Sequence, residues 1–280
     1  MDRGENLPLA LDRNESAAFD FALQAERLYA ALIAATSPDS APNSEPGLGG
    51  KLLYAGELDR QGRALLVAGN IAGAASLAAT ADAAAGKQAV RDGVADFLVT
   101  SLDEALRILK NEIRKRETVA VCVALAPEAV EREMLERGVL PDLLPPGFSR
   151  ASRFSMSFGR GVRQIELAAP EDNQTLLTWD VAAAPAQWLP KLDSIALGCL
   201  DPSDGAARRW LRLAPRYLGR LAQGIRVLYC EREASREFVA RVQAGVRCGE
   251  IGVEVRISLN NNEEIVLSRP LPSDDSGSAG

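Results

Sequence analysis

Arginine is concentrated in one stretch of this 280-residue chain: Arg208, Arg209, Arg212, Arg216, Arg220 and Arg226, interleaved with Trp210 and Tyr217. A guanidinium forks onto phosphate or carboxylate and stacks on aromatic faces. On one helix Arg209, Arg212 and Arg216 stand three and four residues apart and share a face, which is the pattern of an anion or nucleotide site. Pro215 interrupts the stretch and is expected to open a new helix, which loosens that geometry. The same cations also suit a solvated face that pairs with surface acids, since the chain carries 38 Asp and Glu against 32 Lys and Arg.

The rest of the chemical inventory is thin. The chain has no histidine, so the commonest general base, the usual triad base and the commonest metal ligand are missing together. Cys122, Cys199, Cys230 and Cys248 lie far apart and form no CxxC pair. They are expected to be reduced core thiols, with Cys122 inert inside an apolar strand. Lys51 and Lys110 have no acid–base partner in a readable motif, Gly159-Arg160-Gly161 suits a hairpin turn, and Trp179 and Trp188 are expected core anchors. No catalytic residue and no metal ligand is assigned.

The elements that must position these groups fall into two halves. Residues 1–47 are expected to hold a helix over Glu15–Thr36, with Asn14 as N-cap, and a Pro/Ser-rich linker; 273–280 are expected to be a disordered tail. Over 48–149, strands at Lys51–Gly56, Ala74–Thr80, Asp96–Val99 and Val119–Ala124 alternate with helices at Arg63–Gly73, Ala83–Gly93, from Ser101, and at Glu128–Arg137. Strict alternation with short loops predicts a Rossmann-like α/β layer, a parallel sheet with helices on both faces. Over 150–272 the pattern becomes α+β. It predicts a hairpin of Ser152–Phe158 with Val162–Ala168 and a strand at Thr175–Val181. Helices follow at Pro185–Leu197, Ala206–Leu213, Pro215–Leu221 and Ser235–Ala244, and strands at Ile225–Cys230, Gly252–Leu259 and Glu264–Ser268, the last two turning at Asn260–Glu263.

Composition narrows the function classes. A formal charge of −6 argues against non-specific nucleic-acid binding, which needs Lys and Arg on phosphates. No apolar run reaches the ~20 residues that span a bilayer, and the acidic N-terminus is unlike a signal peptide. No membrane association and a cytoplasmic residence are expected.

Leu48, Gly50, Lys51 and Leu52 open the first strand, and Ala55-Gly56, Ala72-Gly73-Ala74, Leu77-Ala78 and Asp82 follow. Leu102-Asp103-Glu104-Ala105-Leu106, Arg137-Gly138-Val139 and Pro141-Asp142 come after them in order. This ordered set resembles urocanase (urocanate hydratase), over about one third of the chain. The resemblance implies a Rossmann-like core, NAD as cofactor and a homodimer. It makes Gly56, Gly62 and Asp82 the candidate cofactor contacts, with Asp82 where a strand-end acid would accept ribose hydroxyls.

The departures fall where that family binds its ligands. The family's L-G-G-M-G-G turn is Glu57-Leu58-Asp59-Arg60-Gln61-Gly62 here, its G-N-A turn is Ala124-Leu125-Ala126, and its D-Q-T-S-A-H-D-P segment is Pro145-Pro146-Gly147-Phe148-Ser149. Glycines in such a turn let the backbone approach a pyrophosphate. One acid about 6 Å from a phosphate charge costs about 3 kcal/mol at an effective dielectric near 20. The expected function is therefore a non-catalytic, urocanase-like binding, regulatory or subunit-like module with a protein partner and no cofactor. The alternative is a diverged enzyme or binder of a nucleotide or acidic metabolite, contacting it through Gly56, Gly62, Asp82, Arg209 and Arg216. An active NAD-dependent urocanate hydratase is the least expected outcome.

Overall fold

A computed structural model describes residues 13–35, 46–147, 154, 161–169, 171–222, 224–260 and 263–268. Helix α1 (Arg13–Ala34) precedes β1 (Leu52–Glu57), α2 (Arg60–Ala72), β2 (Ala75–Ala79), α3 (Ala83–Arg91), β3 (Phe97–Val99), α4 (Leu102–Lys115), β4 (Val119–Val123) and α5 (Pro127–Glu136). Two short strands follow, β5 (Leu143–Leu144) and β6 (Arg163–Gln164). The remaining elements are β7 (Gln174–Val181), α6 (Pro185–Cys199), α7 (Gly205–Leu218), β8 (Ile225–Glu231), α8 (Arg232–Cys248), β9 (Val255–Leu259) and β10 (Glu263–Leu267).

The first six strands form one sheet in the order β3-β4-β2-β1-β5-β6, and every pair in it is parallel. Strands β2 and β4 are buried along their whole length, and β1 everywhere but Glu57, because helices cover both faces. On one face Leu52, Tyr54, Leu77, Val121 and Val123 pack with Leu102, Leu106 and Leu109 of α4 and Val130 and Met134 of α5. On the other, α2 and α3 lie close: a Cβ at Gly69 would come within 2.7 Å of Leu53 and Ser76, and one at Gly86 within 2.8 Å of Leu98. Helix α1 packs on α2, burying Phe21, Ala22, Ala25, Leu28, Tyr29 and Leu32. The predicted α/β architecture is present.

Residues 170–208 with 226–268 make a second compact unit. Its sheet runs β10-β9-β7-β8, with β9 antiparallel to both β7 and β10. Trp179 and Phe238 meet at 4.9 Å between ring centroids. Asn260 takes φ +51 after β9, and its Oδ1 accepts from the Leu176 amide at 2.9 Å. This is the left-handed turn position that asparagine tolerates.

Several local expectations are corrected. Asn14 lies inside α1 rather than capping it. Of the expected hairpin, residues 152–153 and 155–158 lie outside the described residues, and in the other half Arg163–Gln164 pairs parallel to β5 at the sheet edge. Pro215 does not open a helix but sits inside α7, which runs on from Gly205 to Leu218. Buried Ala207, Trp210, Leu211, Ala214 and Leu218 hold that helix through the proline, outweighing the one hydrogen bond it removes. Arg209–Ile225 group with the preceding α/β elements as one compact unit. The linker after Thr36 and the tail from Ser273 lie mostly or wholly outside the described residues.

Candidate functional site

In an open parallel sheet a ligand binds beyond the strand C-termini, where successive strands turn to opposite sides. Here that point is the end of β1, which lies between β2 and β5. The strand carries a bulge between Tyr54 and Gly56, and Gly56 takes φ +76. The chain then turns at Glu57-Leu58-Asp59 into α2. A Cβ at Gly62 would stand 1.9 Å from the Glu57 carbonyl oxygen. Gly62 therefore keeps the close helix–strand approach of a Rossmann turn.

The anion-binding part of that turn is closed. Asp59 is the N-cap of α2, and its Oδ1 accepts from the Gly62 amide at 2.8 Å. The Leu58 amide donates to the Ala79 carbonyl at 2.9 Å, and the Leu58 side chain is buried. A phosphate at this helix end would need those amides and the positive end of the helix dipole. A carboxylate of the chain already holds the helix end, and Glu57 stands exposed beside it. These residues do not fit a dinucleotide pyrophosphate.

Asp82 is similarly engaged. It caps α3, accepting from Ala84 and Ala85 amides at 2.8 and 3.3 Å, while its own amide donates to Thr80 Oγ1. Ser101 caps α4 by accepting from the Glu104 amide, as its spacing predicts. Ala126 gives α5 no side-chain cap, and Pro127 fills the first helical position. Beneath α5, the Tyr54 hydroxyl donates to Glu131 at 3.4 Å. Burial pushes that phenol far above its ordinary value, and Glu131, Glu128 and Glu57 add to the effect. Burial, with help from Glu57, likewise pushes the Cys122 thiol up to about 11. The field at this edge of the sheet is negative.

The arginines do not converge there. Arg209 Nε donates to the Ile71 carbonyl at 2.6 Å, and a Cβ on Gly73 would come within 3.0 Å of its guanidinium. Gly73 is the left-handed C-cap of α2, so Arg209 serves the end of the helix opposite Asp59. The expected meeting of strand C-termini with Arg209 is therefore absent. Arg212 and Arg216 are exposed on the same helix, and Arg216 lies 5.2 Å from the Tyr217 ring centroid. Arg208 donates to the Leu197 and Leu200 carbonyls behind α6, and Arg226 pairs with Asp193 at 3.0 Å. Arg220's side chain lies outside what is described.

The charged residues retained from the family pattern hold the frame. Asp142 accepts from the Leu52 amide at 2.8 Å and pairs with Lys51 at 3.2 Å, tying β1 to the entry of β5. Arg137 bonds both Asp103 and Glu133, joining α4 to α5. The cap at Asp59 had a readable signal, an Asp directly before a helix of small residues. The Tyr54–Glu131 bond and the role of Arg209 span too much sequence for any local signal. Among the described residues no group of three or more His, Cys, Asp or Glu could hold a metal ion, and no helix is long and apolar enough to cross a membrane.

Residues 35–149 match the family model of the urocanase Rossmann-like domain. This part of the chain is similar to the urocanase Rossmann-like domain.

Proposed function

We propose that this urocanase-like core acts as a non-catalytic binding, regulatory or subunit-like module that has given up dinucleotide. The observation that carries the reading is the Asp59 carboxylate on the Gly62 amide, in the place a phosphate oxygen would take. The exposed acids Glu57 and Asp82 add charge of the wrong sign for a pyrophosphate. The urocanase substrate segments are replaced by Ala124–Ala126 and Pro145–Ser149, which offer no acid, amide side chain or histidine. Cys122 and Cys230 are buried and form no disulfide, which fits a reducing compartment such as the cytoplasm.

Calorimetric titration with NAD+ and NADH tests this directly. The native protein should give no saturable heat with either nucleotide and no turnover of urocanate above background. Saturable NAD+ binding in the micromolar range, or urocanate turnover, would overturn the reading. The Asp59→Gly variant, which frees the Gly62 amide and removes one acid, should bind NAD+ more tightly than the native chain if any binding is detected.

A further inference from the structure

An open feature of the first unit lies away from the candidate site, at the opposite edge of the sheet. A cleft of about 1040 Å³ opens beside the starts of β3 and β4 and along α4, with Asp96, Phe97, Thr118 and Val119 on its strand side. That volume is at the top of the range for small-molecule clefts. Strand β3 is the outermost strand of its sheet, hydrogen-bonded to β4 alone among the described strands. Phe97 on it is 47% exposed, among the most exposed large apolar side chains described.

The helix wall of the cleft carries Arg107, Lys110 and Arg114. Their spacing of three and four residues puts them on one face of α4, and all three are exposed. Two acids also line the cleft, but both are engaged. Asp96 accepts from the Ala120 amide at 2.7 Å, holding β3 to β4. Glu112 accepts from Lys115 at 2.9 Å and from Asn111 at 2.7 Å, and Lys115 holds its carboxyl below the usual range. Three cations against two carboxylates give the lining a formal charge of +1 in a chain of formal charge −6.

Exposed sheet edges are usually guarded by charge against pairing with other chains. Here the guard is the basic row Arg107, Lys110 and Arg114 beside an exposed aromatic ring, so it favours a partner of opposite sign. We propose that the outer side of β3 and the basic stripe of α4 dock an acidic segment of a partner protein, with an apolar side chain of that segment seated on Phe97 and Ile108. The proposal rests on the reading of this chain as a binding module and names the surface that would do the binding.

Fluorescence anisotropy with a labelled synthetic peptide of alternating Glu and Leu tests it, with the Lys/Leu peptide as control. The acidic peptide should bind saturably to the full chain at low salt and weaken as salt rises. The double variant Arg107→Glu, Lys110→Glu should weaken binding at least tenfold, and Phe97→Ser several-fold, with melting temperatures unchanged. If the charge reversals prove unstable, Arg107→Gln with Lys110→Gln should still weaken binding several-fold. Failure of the acidic peptide to bind, equal binding of the Lys/Leu peptide, or indifference to the charge variants would overturn the proposal. Nucleotide titration separates the two ideas. Peptide failure without NAD+ binding sinks this surface alone, and NAD+ binding with peptide binding intact sinks the non-catalytic reading alone.

Discussion

Gly62 and Cys122 show how single atoms set the behaviour of this sheet. The missing Cβ of Gly62 leaves room for the Glu57 carbonyl oxygen, which stands 1.9 Å from where that atom would be. Neither group can retreat, because one belongs to the first turn of a buried helix and the other to the strand end. Gly62→Ala should therefore destabilise by about 3 kcal/mol, the upper end of overpacking costs. Gly93→Ala, at φ +74 in open space, should cost about 1 kcal/mol from backbone strain alone. Urea unfolding midpoints give the comparison, and equal losses at the two sites would refute the steric account. Cys122 provides a pH test. Its thiol is raised to about 11 by burial, with Glu57 adding. An acid whose folded pKa is raised adds stability that is fully present below its unfolded pKa, about 8.5 for Cys. That contribution is lost as pH rises through the folded value. Unfolding stability should thus fall between roughly pH 8.5 and 11, and less steeply in Cys122→Ala. Parallel slopes would contradict it. In the folded protein at neutral pH, a thiol reagent should label exposed Cys248 and spare Cys122.

At the scale of elements, local signals carry the strand–helix alternation and some caps and turns, whereas strand order and edge pairing depend on distant partners. The alternation over 48–149, the Ser101 cap and the Asn260 turn are local: each depends on periodicity or on one side chain reaching its own backbone. The strand order β3-β4-β2-β1-β5-β6 is not local, since short loops permit several orders. The two-residue pairing of β6 with β5 carries too little pattern to separate it from a hairpin. Helix α7 shows tertiary packing overruling a breaker, because buried Trp210, Leu211 and Ala214 hold Pro215 in a continuous helix. Of the candidate site, Gly62 and the Asp59 cap carry signals legible by residue type and place, whereas the use of Asp82 as a cap appears only with the backbone in place. Arg226 belongs to the same lesson: from the sequence it is one more cation, and in the fold it pairs with Asp193, both side chains at most 14% exposed. Burial pushes the Asp193 carboxyl up against the pull of Arg226, so desolvation consumes much of what the pair gains. Arg226→Met should cost about 3 kcal/mol by stranding the carboxylate, whereas Arg226→Met with Asp193→Leu should return to within about 1 kcal/mol of the native chain. A double variant still as unstable as Arg226→Met alone, by urea unfolding, would show that the charged pair stabilises this unit over its apolar replacement.

For the whole molecule, the first unit is discontinuous in sequence. Its sheet is complete by Ala169, yet Arg209–Ile225, with most of α7, also belong to it. Trp210, 1% exposed, meets Tyr29 of α1 at 5.3 Å between ring centroids. One residue earlier, Arg209 closes the last turn of α2 at Ile71. Helix α1 covers α2, and α2 covers the sheet, so this late segment secures the outermost layer on that face of the core. A fragment ending at Ala169 would keep every strand of the six-stranded sheet but expose Tyr29 and leave the Ile71 carbonyl without its guanidinium. Losing a buried Trp costs about 3–5 kcal/mol, and whole domains are stable by only about 5–15 kcal/mol. The fragment should therefore bind a hydrophobic dye and melt well below the full chain, even though it includes the entire urocanase-like match at residues 35–149. Trp210→Ala in the full chain should lower the melting temperature in the same direction by a smaller step, because Arg209 still caps α2. A fragment as stable and dye-silent as the full chain would mean that Arg209–Ile225 contribute nothing to the core, and would place the boundary of the folding unit no later than Ala169.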